Sequence, residues 1–189
     1  MNKRKKQLAR ILALLLAVLL VLGTIASIVF GHAHGEETAT RDEIALELEF
    51  FEEEQALQIR QRLRYTNRTG KHLDRVEFSV YANIFRRVTA LMYEADVWQD
   101  VFPAGNAPGG VEFSRILVDG QSADWGMMGE EELFLRVACD LADGQTCEFT
   151  FEYTLLLTQN AASLGVGAMG WRLRGFYIQP LKYEYGEFV

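Results

Sequence analysis

The chain has 189 residues, of which 26 are acidic and 19 are Lys or Arg. Residues 1–33 hold five of those basic residues and no acidic one, so the rest has 14 basic and 26 acidic side chains and a formal charge of −12. An acidic domain repels phosphate backbones, which argues against nucleic acid as a partner. The part after residue 33, about 155 residues, suits one domain with a hydrophobic core.

An apolar segment lies near the N-terminus. Residues 11–30 carry no charge and follow a basic cluster that includes Lys3, Arg4 and Arg10. A run of this length can cross a bilayer as a helix, and basic residues before it hold that end in the cytoplasm. The sequence therefore predicts one N-terminal transmembrane or signal helix, the membrane as a partner through residues 11–30, and a C-terminal domain outside the cytoplasm.

The segment can be a cleaved signal peptide or a permanent anchor. Gly31 and Ala33 occupy the −3 and −1 positions of a cleavage after Ala33, which would release a secreted protein. A secretory apolar region is usually shorter than this run, so we favour an uncleaved signal anchor in the cell membrane. Residues 1–33 are then the signal or anchor, 34–42 a polar tether and 43–189 the exported domain.

The exported domain begins with two alternating segments. Apolar side chains recur at every second position, at Ile44, Leu46, Leu48 and Phe50 and then at Leu57, Ile59, Leu63 and Tyr65. This period is typical of half-buried antiparallel strands, and residues 52–55 supply the polar turn between them.

Further strands follow at short intervals. Alternation or short apolar runs predict strands at 76–80, 116–118, 133–139 and 147–155, and Asp119-Gly120 is typical of a hairpin turn. Between them, residues 90–93 are either a short helix or an irregular insertion, and 102–110 form a loop. About seven short strands predict an all-β fold, an antiparallel β-sandwich preceded by the N-terminal helix.

Four segments of the exported domain resemble a known family. They are residues 65–86, 110–120, 141–151 and 171–188, which combine turn residues with alternation in the same order. In this they are similar to the N-terminal β-domain of bacterial membrane-bound relatives of aminopeptidase N, the gluzincin zinc metallopeptidases. The resemblance covers residues 43–189. It implies a domain that packs on a catalytic domain, in cis or in trans, and helps to wall the substrate cleft.

The chemistry of that family is missing from this sequence. Its zinc site needs two His four residues apart on one helical face with a Glu between them, and a further Glu ligand. This chain has His only at positions 32, 34 and 72 and no H-E-x-x-H. Residues 167–171 superficially resemble the Gly-x-Met-Glu-Asn substrate strand but lack its Glu and Asn, and we interpret them as a flexible loop. We expect no catalytic, cofactor or metal site here, and zinc only in a downstream catalytic domain.

Two pairs of side chains remain as candidate structural or metal sites. Cys139 and Cys147 fall on the inward faces of adjacent predicted strands, and outside the cytoplasm they can form a disulfide or stay as two buried thiols. The sequence leaves both alternatives open. His32 and His34 lie in or beside the tether, and two ligands alone make a poor metal site.

Charged and aromatic side chains offer two further interpretations. Arg60, Arg62 and Arg64 share one strand face and can bind an anion, although pairing with Glu47 and Glu49 is favoured. Three tryptophans can line a sugar-binding surface, although packing is the commoner use: Trp98, Trp125 and Trp171.

Two functions from different classes follow. The favoured one is a membrane-tethered, non-catalytic β-domain of an aminopeptidase-like metallopeptidase, and the run of the sequence up to Val189 suggests a fragment or a truncated relative. The alternative is a stand-alone cell-surface module that binds protein or glycan. Fold analogy alone does not separate them.

Overall fold

The computed structural model of the chain describes residues 41–86, 109–158, 164–167 and 170–189. The predicted N-terminal helix, its possible cleavage site at Ala33, residues 90–93 and most of the loop 102–110 lie outside these ranges. Within them, no helix is both long enough and apolar enough to span a bilayer.

The described residues form thirteen strands and one short 3-10 helix. In chain order the strands are β1 (Glu43–Phe51), β2 (Ala56–Thr66), β3 (Leu73–Ser79), β4 (Gly110–Val118), β5 (Gln121–Ser122), β6 (Trp125–Met128), β7 (Phe134–Leu141), β8 (Thr146–Leu156), β9 (Leu164–Gly167), β10 (Gly170–Leu173), β11 (Gln179–Pro180), β12 (Tyr183–Glu184) and β13 (Glu187–Phe188). The 3-10 helix, Tyr81–Phe85, follows β3.

Two sheets account for most of these strands. The first has the order β1-β2-β8-β4-β5 and the second the order β11-β3-β7-β6, while β9 with β10 and β12 with β13 form separate two-stranded sheets. Every strand pair in the described residues is antiparallel. The prediction of an all-β, antiparallel fold is therefore confirmed, and the predicted helix before it lies outside the described residues.

The core lies between the two larger sheets. The inward residues of β8 alternate as the sequence predicts, and Phe149 and Phe151 have no exposed surface. Both rings meet Phe78 of β3 edge-on, with centroids 5.0 and 5.1 Å apart. Because β8 belongs to one sheet and β3 to the other, these contacts place the two sheets face to face across a shared apolar layer.

Two predicted turns are set by specific residues. Asp119 and Gly120 both have positive φ, 50° and 78°, in the hairpin between β4 and β5, so that prediction is confirmed. Asn67 is fully buried after β2, where its Nδ2 donates to the carbonyl oxygens of Lys71 and Leu141 and its Oδ1 accepts from the amide of Thr69. The Asn67 amide thus joins its own turn to the end of β7.

A buried amide also fastens the C-terminal segment to the core. Gln61 points inward from β2, and its Nε2 donates to the carbonyl oxygen of Ile178 at 2.6 Å while its Oε1 accepts from the Ile178 amide at 2.9 Å. The hydroxyl of Tyr153 donates to the same Oε1. Gln61 therefore satisfies both backbone groups of Ile178 inside an otherwise apolar layer, as buried polar groups require.

The burial of two strands differs from what alternation alone implies. β1 has the expected alternation but no buried residue, so the prediction of a half-buried first strand is wrong. β1 lies at the edge of its sheet, where Ile44, Leu48 and Phe50 stay exposed. Thr150 faces outward from β8 yet is buried, because the central strand places it between Arg62 and Leu117 of the flanking strands.

Candidate functional site

A concavity at one end of the second sheet combines aromatic and polar side chains. We call it the aromatic pocket. Its volume is about 510 Å³ and its lining is Ser79, Tyr81, Arg174, Gly175, Tyr177 and Gln179. These residues come from two distant parts of the sequence, the end of β3 with the following 3-10 helix and the segment that leads into β11.

Strand pairing brings those two parts together. Gln179 pairs with Ser79 where β11 adds to the edge of β3. Tyr81 follows Ser79 at the start of the 3-10 helix. Tyr177 precedes Ile178, whose two backbone groups are held by Gln61. The buried amide in the core therefore fixes one wall of the aromatic pocket.

The two tyrosine rings are positioned by local packing. Tyr81 meets Phe85 edge-on at 6.4 Å between centroids, and Tyr177 meets Phe176 edge-on at 5.6 Å. Gly175 has φ +68°, and a Cβ added there would lie 2.9 Å from Cδ1 of Tyr81. Glycine is required at this position both by the backbone conformation and by the close approach of the tyrosine ring.

The polar groups of the aromatic pocket are available to a ligand. The hydroxyls of Ser79, Tyr81 and Tyr177, the guanidinium of Arg174 and the side-chain amide of Gln179 make no hydrogen bond or ion pair with another described residue. Hydroxyls and an amide can both donate and accept, and the guanidinium matches a carboxylate. Aromatic faces beside such groups suit a ligand that has both apolar faces and hydroxyls.

Three other concavities differ because their arginines are paired with glutamates of the protein. In one of about 410 Å³, Arg60 contacts Glu152 at 3.7 Å. In one of about 300 Å³, both Arg75 and Arg136 are bonded to Glu77. In the third, of about 430 Å³, Arg86 is paired with Glu132. Internal pairing satisfies these guanidinium groups, whereas Arg174 of the aromatic pocket has no such partner among the described residues, so we take the aromatic pocket as the candidate site.

The two cysteines lie on strands of different sheets. Cys139 is partly buried on β7 and Cys147 is buried on β8, and both are free thiols in the structure. Burial is the main cause that raises the pKa of Cys139 to about 11 and that of Cys147 to about 12, so neither is a reactive thiolate near neutral pH. The alternative of a disulfide between them stays a prediction.

The three arginines of β2 point outward as predicted. Arg62 bonds Glu47 at 3.3 Å, which is the favoured pairing with β1. Arg60 pairs instead with Glu152 of β8, the strand on its other side. Arg64 lies opposite Glu43 and Glu148 in the strand register. The arrangement favours charge pairing over an anion site.

The remaining predicted residues are dispersed. Trp125 contacts Phe113 at the β4 and β6 side of the core and Trp171 contacts Phe50, so these two rings lie apart on different strands, while Trp98 lies outside the described residues. Gly167 and Gly170 belong to the paired strands β9 and β10, so the interpretation of that stretch as a flexible loop is wrong for these two residues.

One histidine, His72, lies among the described residues. His72 faces Asp140, with 2.6 Å between Nε2 and Oδ1, at an exposed position. Among the described residues, no group of three or more His, Cys, Asp and Glu side chains is arranged to hold a metal ion. His32 and His34 lie outside those residues.

Sequence reasoning missed the aromatic pocket. Tyr81 and Tyr177 are 96 positions apart in numbering, and although each lies in a segment of the family resemblance, nothing in the sequence links the two segments. The only local signal is Gly175 two residues before Tyr177, in a segment rich in aromatic residues. A spacing argument cannot detect side chains that become neighbours through pairing of β3 with β11.

Comparisons with known proteins find matches only among solved structures. No protein-family model matches the chain, and no curated protein matches it. Among solved structures it is similar to the M1 zinc metallopeptidase from Deinococcus radiodurans and to a point mutant of a two-domain M1 zinc metallopeptidase bound to L-arginine. Each is 15% identical with a TM-score of 0.35, and the match covers 56% of this chain. It spans 17% of the length of each of those chains, and a TM-score this low does not establish a shared fold.

Proposed function

We propose that the chain is a membrane-tethered, extracytoplasmic and non-catalytic β-domain of an aminopeptidase-like metallopeptidase. One observation carries the proposal: a basic cluster with an uncharged run precedes an all-β domain in a chain that has no H-E-x-x-H. Residues 1–30 would hold the domain at the cell membrane. A catalytic domain, in cis or in trans, would supply the zinc ligands for any hydrolysis.

The turn around Asn67 supports this proposal. Residues 65–74 begin the longest segment of the family resemblance, and the buried Asn67 amide ties that turn to Leu141 on β7. The side chain of Asn67 makes its hydrogen bonds to backbone and to Thr69, so its role is structural. The turn therefore has a structural role and no catalytic one, which is what the proposed non-catalytic packing domain requires.

Two experiments test this proposal. Protease added to intact cells or protoplasts should digest the domain, while a cytoplasmic marker protein stays intact. Protection of the domain until the membrane is permeabilised would contradict the topology. The purified full chain in detergent should bind no stoichiometric zinc and hydrolyse no aminoacyl p-nitroanilide. One tightly bound zinc per chain with chelator-sensitive hydrolysis would overturn the non-catalytic assignment.

A second candidate function, a binding module for glycan, is favoured by the aromatic pocket. Five polar side chains without partners in the described residues, two of them tyrosines, suit a saccharide, and Arg174, the one charged residue among the described lining, favours a carboxylate-bearing one. A tether to the membrane would present such a module at the cell surface.

Titration of the full chain in detergent with a glucuronic acid disaccharide tests the second function. Binding should weaken in Gly175→Ala, because the new Cβ displaces Tyr81. Gly129→Ala is the matched control, since Gly129 also has positive φ, +76°, but no neighbouring atom within 4 Å. Equal affinity of both variants for the disaccharide, or no binding by the unsubstituted chain, would argue against this function.

A further inference from the structure

β1 forms an open edge of the five-stranded sheet. It pairs with β2 along all nine of its residues and with no other strand in the described part of the chain. The backbone groups on its other side therefore have no strand partner there. Such an edge can accept an additional strand from another polypeptide.

The inward row of β1 is apolar, and three of its four residues are largely exposed, while the fourth, Leu46, is partly buried against the core. Ile44, Leu48 and Phe50 point to the same face as the core residues of β2, yet they are 41%, 38% and 52% exposed. The ring of Phe50 meets that of Trp171 edge-on, with 5.2 Å between the centroids. An added strand would bury these side chains beside its own apolar residues, which supplies a driving force for binding.

Apart from its outward glutamates, the edge lacks the usual features that prevent pairing. Natural edge strands are commonly protected by proline, by a bulge or by a charged residue that points inward. β1 contains no proline, its register with β2 has no shift, and its inward positions are all apolar. The strand is thus long, regular and open.

The outward row of β1 determines which partner fits. Glu43, Glu47 and Glu49 are exposed on this row, and within the described residues only Glu47 has an ion pair, with Arg62. A second copy of β1 would place glutamates near glutamates, which is unfavourable for neighbouring strands. A strand with Lys or Arg on this face would instead be attracted.

We propose that β1 binds an extended segment of a partner protein in which Lys or Arg alternates with apolar residues, by adding a strand to the edge of the sheet. The apolar residues of that segment lie beside Ile44, Leu48 and Phe50, and its basic residues lie beside the glutamates. This interaction is separate from the aromatic pocket and does not depend on the proposed metallopeptidase context.

The test uses the full chain in detergent and a nine-residue acetylated peptide of alternating lysine and valine. The peptide should bind and should slow hydrogen exchange of amides in Glu43–Phe51. A peptide of the same composition with paired rather than alternating residues is the control for charge alone. Equal binding of both peptides, or binding without protection in β1, would contradict strand addition.

Two substitutions separate edge pairing from electrostatic attraction. Leu48→Asp makes β1 more acidic, so it should strengthen binding that depends on charge alone, but it should weaken strand addition about tenfold or more because it puts a charge on the inward row. Phe134→Asp is the matched control, since Phe134 is 41% exposed on β7, away from β1. The affinity of this variant for the alternating peptide should not fall.

The oligomeric state decides between a foreign peptide and a second copy. In sedimentation experiments without peptide, the unsubstituted chain and Leu48→Asp should have the same oligomeric state. Self-association abolished by that substitution, with no affinity for the alternating peptide, would overturn the proposed partner and assign the edge to a second copy of this chain.

Discussion

β8 and β1 have the same alternation of apolar and other residues, but the structure uses them differently. On β8, Phe149 and Phe151 have no exposed surface, while on β1 Ile44 and Phe50 are 41% and 52% exposed. The difference comes from the opposite sheet. Phe78 of β3 covers the inward face of β8, and β1 extends along the open edge. Alternation determines which face of the strand a side chain occupies, and the presence of the opposite sheet determines whether that face is buried.

The largest effect that tests this comparison is a cavity in the core. Phe151→Ala should lower the free energy of unfolding by about 3–5 kcal/mol, because it removes a fully buried ring between two sheets. Phe50→Ala, the same change on the edge strand, should cost well under half of that, since half of the side chain is already in water. Urea denaturation followed by tryptophan fluorescence measures both, and equal costs would show that β1 is as buried as β8.

A matched pair on β2 sharpens the contrast between inward and outward positions. Gln61→Leu should destabilise the domain by about 1–3 kcal/mol, because the amide and carbonyl of Ile178 lose their partners in a buried place. Gln58→Leu, on the outward face, should stay near the stability of the unsubstituted chain. Hydrogen exchange at Ile178 should become faster in the first variant alone; unchanged exchange there would contradict the role assigned to Gln61.

The buried thiols make the stability of the core depend on alkaline pH. Burial raises the pKa of Cys147 to about 12 and that of Cys139 to about 11 from 9.0, so the folded chain holds these protons more tightly than the unfolded chain. Stability should therefore be complete below pH 9 and fall as the pH rises from 9 towards 12. Denaturation under reducing conditions should show a shallower decline for Cys147→Ala, while Phe50→Ala should keep the original slope.

The smallest effect is expected for the charges that cross the outer face of the first sheet. Arg62→Ala removes the 3.3 Å pair with Glu47, but the two side chains are 47% and 58% exposed. Exposed ion pairs contribute about 0–1 kcal/mol to stability, so the midpoint of unfolding should hardly move. At high salt the shift should be smaller still, because salt screens exposed charges. A loss as large as that of Gln61→Leu would mean that this surface carries stability that its exposure does not explain.

Several elements were accessible from the sequence because they depend on local chemistry. The β2 and β8 strands follow from alternation, and the turn at Asp119-Gly120 follows from the positive φ that glycine accepts. The pairing of Arg62 with Glu47 follows from neighbouring strands of a hairpin. In each case the interacting residues are close in sequence or share one strand.

The candidate sites were not accessible in that way. The aromatic pocket needs Ser79 beside Gln179, and the wall that carries Tyr177 depends on Gln61 holding Ile178. These contacts join residues about a hundred positions apart. No periodicity or motif indicates these contacts, because each partner taken alone is a polar or aromatic residue of a common kind with no distinctive spacing.

The sequence by itself determined the all-β class, the alternating faces and the absence of a zincin motif, because side-chain period and motif spacing are properties of short segments. The tertiary structure alone decided that β8 is buried and β1 open, that Gln61 reaches Ile178, and that two tyrosines share one pocket. Burial and long-range pairing depend on which segments face each other, and that choice is made by the whole chain as it folds.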